Sequence, residues 1–395
     1  MGNDVTLGLD LLPKELKLLL LFMAKESREV AFSDYEELFK DVNWELFVQL
    51  TRHHRVYPYI CHQLKQLDPT VIPSSVIQKL DRETKKNTFY MLHLSGELEQ
   101  LCKLLTEAKI HVLLLKGPVL AVDLYGDLSR RTSSDLDMLV PINELDTTHE
   151  LLLSLNYVKE DYFSTVLDDW KWRHHHLAYF HPEKRIKLEI HWRLHPGPSW
   201  EPSFKDLWAR KRLSSLTSSP VYLLGREDLF LFLAAHGARH GWSRLRWLAD
   251  IDRIAGLNPD WKQLSRLLDT YQMAHVGGQA LNLASQLLRT PIPQAMKELT
   301  GRSRSKRLAQ EALFYIKQMV NLHTEPLPEA IADYHRRHLF SLMSGQQKLL
   351  YLLSLLVPYP LDAETMPLPK SLHFLYFPLR PFLCVWRKIR KSAIL

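Results

Sequence analysis

The residues best suited to chemistry are two aspartates one position apart. Asp135-Leu136-Asp137 begins a run to Val140 that is otherwise apolar and is closed by Pro141. Side chains on a strand alternate between faces, so Asp135 and Asp137 share one face while Leu136 and Met138 take the other. Two carboxylates this close repel unless a cation lies between them. Hard oxygen ligands suit Mg²⁺, with Mn²⁺ as the alternative, and such a cation commonly also binds substrate phosphates. Taken alone, the pair also fits a solvated edge strand. A second segment, Ile186 to Trp192, alternates apolar residues with Lys187, Glu189 and His191. It therefore has one core face and one polar face. Glu189 is the third carboxylate, able to meet the aspartates from a neighbouring strand. Three carboxylates can hold two divalent cations, which activate an attacking hydroxyl and neutralise a leaving phosphate. The plain alternative is a surface glutamate paired with Lys187 or Arg193.

Lys116-Gly117 follows the short apolar run Val112 to Leu115. The spacing predicts a strand-to-helix turn there, with Pro118 in the first helical turn. Glycine admits a ligand close to the backbone, a helix N-terminus favours phosphate, and Lys116 adds a point charge. The P-loop pattern G-x-x-x-x-G-K-[ST] is absent. His236 and His240 lie four apart, on one face of an amphipathic helix near Arg239 and Arg246. They could meet a phosphate or an acceptor, or pack as a pair. His174, His175 and His176 are consecutive. Alternation prevents all three from converging on a strand, so a loop or hairpin edge is expected. No H-E-x-x-H, C-x-x-C or G-x-S-x-G occurs, which argues against a zincin, a zinc finger and an α/β-hydrolase.

These residues need elements to position them. Apolar spacing predicts helices across 14–25 and 43–64 and a long one from Ser74 to Ala108. Strands are expected at Val112–Leu115 and Ser134–Val140, with a helix over 143–155 and an extended piece from Tyr157. Leu177–Phe180 and Ile186–Trp192 read as a hairpin. After Pro220 the pattern is helical. The expectation is an α+β chain with a helical region at 1–95, a mixed-sheet core at 96–215 and a helical domain at 216–395. Near the C-terminus the segment after Pro369 is aromatic and then basic. It has the composition of a membrane-surface helix, but Pro378 and Pro381 interrupt it, so docking on the helical domain is expected.

The chain has 395 residues, 46% of them hydrophobic and 24% charged, which is an ordinary globular balance with room for a large core. The net charge of +7 is mildly basic and permits a phosphate-bearing ligand. Three cysteines, far apart in sequence, point to a reducing cytoplasm rather than a disulfide framework. No signal peptide or membrane span is expected. The opening MGNDVT fits a myristoylation pattern only by chance.

The segments LLLKGPVLAVDLYGDLSRRTSSDLDMLV, KLEIHW and LAAHGARHGWSRLRWLADIDRI together resemble a bacterial family of uncharacterised nucleotidyltransferases in the polymerase-β-like superfamily. The matching positions are Lys116, Gly117, Arg131, Asp135, Asp137, Glu189, His191 and Trp192. In the helical part they are His236, His240, Arg246, Trp247 and Asp250. The resemblance implies a nucleotidyltransferase core and Mg²⁺-dependent transfer of a nucleotidyl group from an NTP to a hydroxyl or phosphate acceptor. Asp135, Asp137 and Glu189 would hold metal and catalyse. Lys116, Gly117, Arg131 and Ser134 would bind the nucleotide, and His191, His236, His240 and Arg246 would face the acceptor or a phosphate. Some relatives lie beside lasso-peptide genes, which adds a second reading: tailoring of a phosphorylated peptide from a nucleotide or nucleotide-sugar donor. A nucleic-acid partner is not expected. One departure stands out. The superfamily turn usually places serine or glycine after its glycine, whereas Pro118 has neither hydroxyl nor amide N–H. A nucleotide-binding module without activity is the corresponding alternative.

Overall fold

The computed structural model describes residues 7–24, 36–67, 71–160, 170–217, 220–324 and 326–392. The opening MGNDVT lies outside them. Among the described residues, seven strands form one mixed sheet: β1 (Leu113–Leu114), β2 (Asp135–Leu139), β3 (Val158–Lys159), β4 (His176–His181), β5 (Ile186–His191), β6 (Arg212–Leu213) and β7 (Tyr222–Leu223). Their order is β3-β4-β5-β2-β1-β7-β6. The fold is α+β, with helices before and after the sheet.

The alternation in the sequence separates the two sides of this sheet. Leu114, Leu136, Met138, Leu188 and Ile190 all point to one side. They are covered by the second half of helix Ser74–Glu107, through Met91, Leu94, Leu98 and Leu101, and by Leu145 and Leu152 of helix Leu145–Ser154. On the other side, Leu113 and Leu139 join the larger core of the helical region, which includes Phe230, Phe232, Trp242 and Leu248. Where β2 and β5 run beyond those leucines, the same face becomes polar and opens into a cavity.

Helix Arg226–Arg239 and helix Leu245–Gly256 form the cavity's far wall. The tight link between them depends on Gly237, since a Cβ there would lie 2.4 Å from the Trp242 ring. Trp242 is thereby seated in the core at full burial.

Two features differ from the sequence expectation. The segment after Pro220 does not turn helical at once. Tyr222–Leu223 pairs parallel with β1, and β6 pairs antiparallel with it, so the sheet continues past residue 215. Strands of two residues are too short to carry a periodic signal. The C-terminal segment also behaves differently. Pro381 lies inside helix Tyr376–Ser392, and Phe382, Val385, Trp386 and Ile389 are exposed rather than docked. No helix among the described residues is long and apolar enough to cross a membrane.

Candidate active site

β2 and β5 are parallel neighbours with Asp135 opposite Lys187, Asp137 opposite Glu189 and Leu139 opposite His191. This register places the three carboxylates side by side on the polar face. Asp137 is fully buried. Its Oδ1 lies 2.8 Å from Lys116 Nζ and 3.3 Å from His191 Nε2. Glu189 Oε2 lies 3.5 Å from the same His191 nitrogen, and Glu189 Oε1 is 3.5 Å from Lys187.

Lys116 reaches this group because of the turn that carries it. Leu115 N–H donates to Asp137 O at 3.0 Å, which ties the end of β1 to β2. The chain then turns through Gly117 at φ 87° and ψ −150°, a conformation that only glycine adopts easily. Pro118 opens helix Pro118–Tyr125 with its fixed φ.

The electrostatics follow from this crowding. Burial alone would raise the pKa of Asp137, but Lys116 and the His191 contact overcome it and hold the carboxyl below its usual range. Glu189 is likewise held well below its range against burial, by His191 first and then by His176. Asp135 moves the other way, raised by burial and then by Asp137. His191 is raised by its two carboxylates despite its burial.

A divalent cation suits this donor set. Asp137 Oδ2 and His191 Nδ1 are buried without a hydrogen-bond partner among the described residues. Ligand atoms of Asp137, Glu189 and His191 all lie within 4.8 Å of one another, and those of His175, His176 and His191 do the same.

Above the carboxylates is a cavity of about 360 Å³ whose remaining walls combine arginines with neutral histidines and the Phe232 and Trp247 rings. Arg55, Arg244 and Arg246 line it, and none of the three forms an ion pair with a carboxylate among the described residues. Arg246 donates to Thr132 O at 2.6 Å, and Arg244 to His53 O at 2.6 Å and Asn321 Oδ1 at 3.0 Å. Burial and neighbouring arginines push the pKa of Arg246 down to about 9 and, with Arg55, that of Arg244 to about 10. Such cations are poised for an anion. His236 meets the Trp247 ring edge-on and His240 lies tilted against it, with ring centroids 5.3 and 5.1 Å away. Burial, then neighbouring cations including Lys116 and Arg239, keep both imidazoles neutral.

Residues 40–289 match the family described as uncharacterised nucleotidyltransferase, well over half of the chain. The chain belongs to this nucleotidyltransferase family. No curated protein matches it. Among solved structures, the chain is similar to an antigenic nucleotidyltransferase-like protein from Paracoccidioides brasiliensis, at 17% identity and a TM-score of 0.34. That match covers 53% of this chain and 97% of the other.

In this nucleotidyltransferase, Asp135, Asp137, Glu189, Lys116 and His191 come together, and His236, His240 and Arg246 face them across the cavity. Gly117 shapes the turn. Ser134 lines the cavity, and its carbonyl accepts from Tyr90 Oη at 3.0 Å. One expectation needs correction. Arg131 borders the cavity, but it is buried and its guanidinium is committed to a bidentate pair with Asp250, both bonds 2.9 Å. Tyr125 Oη donates to the same Asp250 at 2.8 Å. Arg131 therefore joins the loop before β2 to helix Leu245–Gly256. The consecutive histidines lie at the edge of the β4–β5 hairpin, as expected, and not all of them converge. His176 opens β4 opposite His191, and His175 folds back to it, Nε2 lying 3.2 Å from His176 Nδ1. Two of the three thus converge, because the strand begins between them. Arg55, His195, Arg244 and His323 line the cavity without having been singled out from the sequence. Only Arg244 carried a signal, two residues before Arg246.

Proposed function

We propose that this nucleotidyltransferase moves a nucleotidyl group from an NTP to a hydroxyl or phosphate acceptor. The observation that carries the reading is the pairing of Asp137 with Glu189 beneath arginines that have no carboxylate partner among the described residues. Asp135, Asp137 and Glu189 would hold Mg²⁺ or Mn²⁺, with His191 beside them. A divalent cation bound there supplies charge neutralisation on the phosphates and lowers the pKa of an acceptor hydroxyl.

The chain's own residues perform the remaining tasks. Pro118 offers no amide, so the helix start is a poor phosphate cradle. Arg55, Arg244 and Arg246 take that role instead, as fixed donors aimed at developing negative charge. The acceptor oxygen bonds to the α-phosphorus, the bond to the β-phosphate oxygen breaks, and pyrophosphate remains against the arginines. Glu189 would complete the cation site and help take the acceptor's proton, as base or through the cation. Glu189 is held ionised, which suits a ligand.

Calorimetric titration with a non-hydrolysable NTP tests the reading, with and without Mg²⁺. Binding is expected to require the cation and to vanish in Asp137→Asn, with the fold retained. Unchanged cation-dependent affinity in that variant would remove the metal assignment. A parallel screen of NTPs and nucleotide-sugars by thermal shift would identify the donor.

A further inference from the structure

The last elements of the chain invert the usual polarity of a helix. Helix Gly345–Ser354 buries Gln347 and Ser354. It exposes Leu349, Leu352 and Leu353, and the stripe continues to Leu356, each 50–60% exposed. The spacing i, i+3, i+4, i+7 makes these four one face. Helix Tyr376–Ser392 repeats the pattern. Its inner side packs Tyr376 and Leu383 against Met366, Leu368 and Leu379. On its outer side are Phe382, Val385, Trp386 and Ile389, again at i, i+3, i+4, i+7 and 56–74% exposed. The two helices are tied together, since Arg380 donates to Leu355 O and Asp362. More than half of the exposed large apolar side chains among the described residues lie between Leu349 and Ile389. Singly scattered apolar residues need no explanation, but two continuous stripes do.

Charge identifies what covers them. Residues 345–395 hold seven lysines and arginines against two acids, so five of the net +7 charges reside in this last eighth of the chain. One of the acids, Asp362, is buried and taken up by Arg380 at 2.6 Å and Arg387 at 2.7 Å. The outer stripe ends beside Lys388, Arg390 and Lys391 in sequence. Apolar stripes with an indole and a basic flank match an anionic bilayer surface, where the stripe enters the acyl boundary and the cations meet headgroups. Tryptophan is itself favoured at that depth.

We propose that the helices over 345–392 dock this protein on an anionic lipid surface, lying in the interface without crossing it. This does not depend on the reaction at the cavity.

The test is flotation of the full chain with phosphatidylcholine vesicles, plain or carrying about 30% phosphatidylglycerol, at low and high salt. Each cation near such a surface is worth about fivefold in partitioning. Recruitment is expected to be at least about tenfold greater on the anionic vesicles, and to weaken at high salt through screening. The double variant Leu353→Asp/Trp386→Asp should lose that recruitment at least about tenfold. Both positions are exposed, so its circular dichroism and unfolding midpoint should match the parent protein. Light scattering gives the counter-case. If the parent protein is a dimer that the double variant dissociates, and vesicles recruit neither, the face is covered by a second copy and the lipid proposal fails. Equal recruitment of parent and variant would also overturn it.

Discussion

Lys116 and the three carboxylates compensate one another. Its ammonium lies at 2.8 Å from Asp137 and is stabilised by Asp137, Asp135 and Glu189 against its own burial. A divalent cation at the carboxylates would compete with it. Lys116→Met keeps much of the stem and removes the charge. The expected outcome is at least about tenfold tighter Mn²⁺ binding, because opposed charges a few ångströms apart are worth more than that. The unfolding midpoint without the cation should fall, since the carboxylates then repel unchecked. Mn²⁺ titration and thermal melts would check both. Weaker Mn²⁺ binding would mean that Lys116 helps the cation rather than standing in its place. Arg131 and Asp250 make a second residue-scale case. Asp250→Asn leaves a buried guanidinium without a counter-ion and is expected to cost about 3–5 kcal/mol of stability. Chemical denaturation measures this, and a loss under about 1 kcal/mol would show that Arg131 finds another partner.

At the scale of elements, the site depends on one turn and one register. Gly117, at φ 87° and ψ −150°, directs Lys116 back over β2. An added Cβ would meet Asp135 O at 3.5 Å, which is ordinary contact, so the difficulty is backbone strain rather than space. Gly117→Ala is expected to destabilise by about 1–3 kcal/mol. It should also weaken cation and nucleotide binding together, because Lys116 and the carboxylates would shift as a unit. Denaturant midpoints and calorimetry on the same variant would test it. Full stability with intact binding would show that the turn tolerates a side chain. The β2–β5 register is equally strict. A slip of one residue would put Leu188 where Glu189 stands and bury the charge in the leucine core.

Over the whole molecule, buried histidines dominate the acid response. Burial first of all lowers His53, His176, His275 and His335 to about 4 and His195 to about 3. The unfolded chain accepts protons on such groups near 6.5, while the folded chain refuses them. Stability is therefore fully present above 6.5 and is lost as pH falls toward 4. His191 runs the other way, but it is one group against many. The unfolding midpoint should drop clearly from pH 7.5 to pH 5. A midpoint that stays level or rises over that interval would show that these imidazoles are not held neutral.

Much of this protein was determined by local pattern. Alternation marked Asp135 and Asp137 on one face of β2 and Glu189 on the polar face of β5, because strand geometry fixes side-chain direction within a few residues. Helical periodicity located helix Ser74–Glu107, and Lys116-Gly117-Pro118 announced a strand-to-helix turn. Only the tertiary structure decided which strands adjoin. The parallel pairing of Asp137 with Glu189 spans some fifty residues of chain, and no local rule sets it. The same holds for Arg131, which as a sequence feature resembled a phosphate ligand until Asp250, 119 positions away, closed on it. The cavity wall joins Arg55 from one end of the chain to Arg244 and Arg246 near its middle. The exposed stripes of the C-terminal helices show the limit most directly. The aromatic and basic composition of the tail was readable, but composition does not say which side faces the core, and that is a matter of what the folded core leaves uncovered.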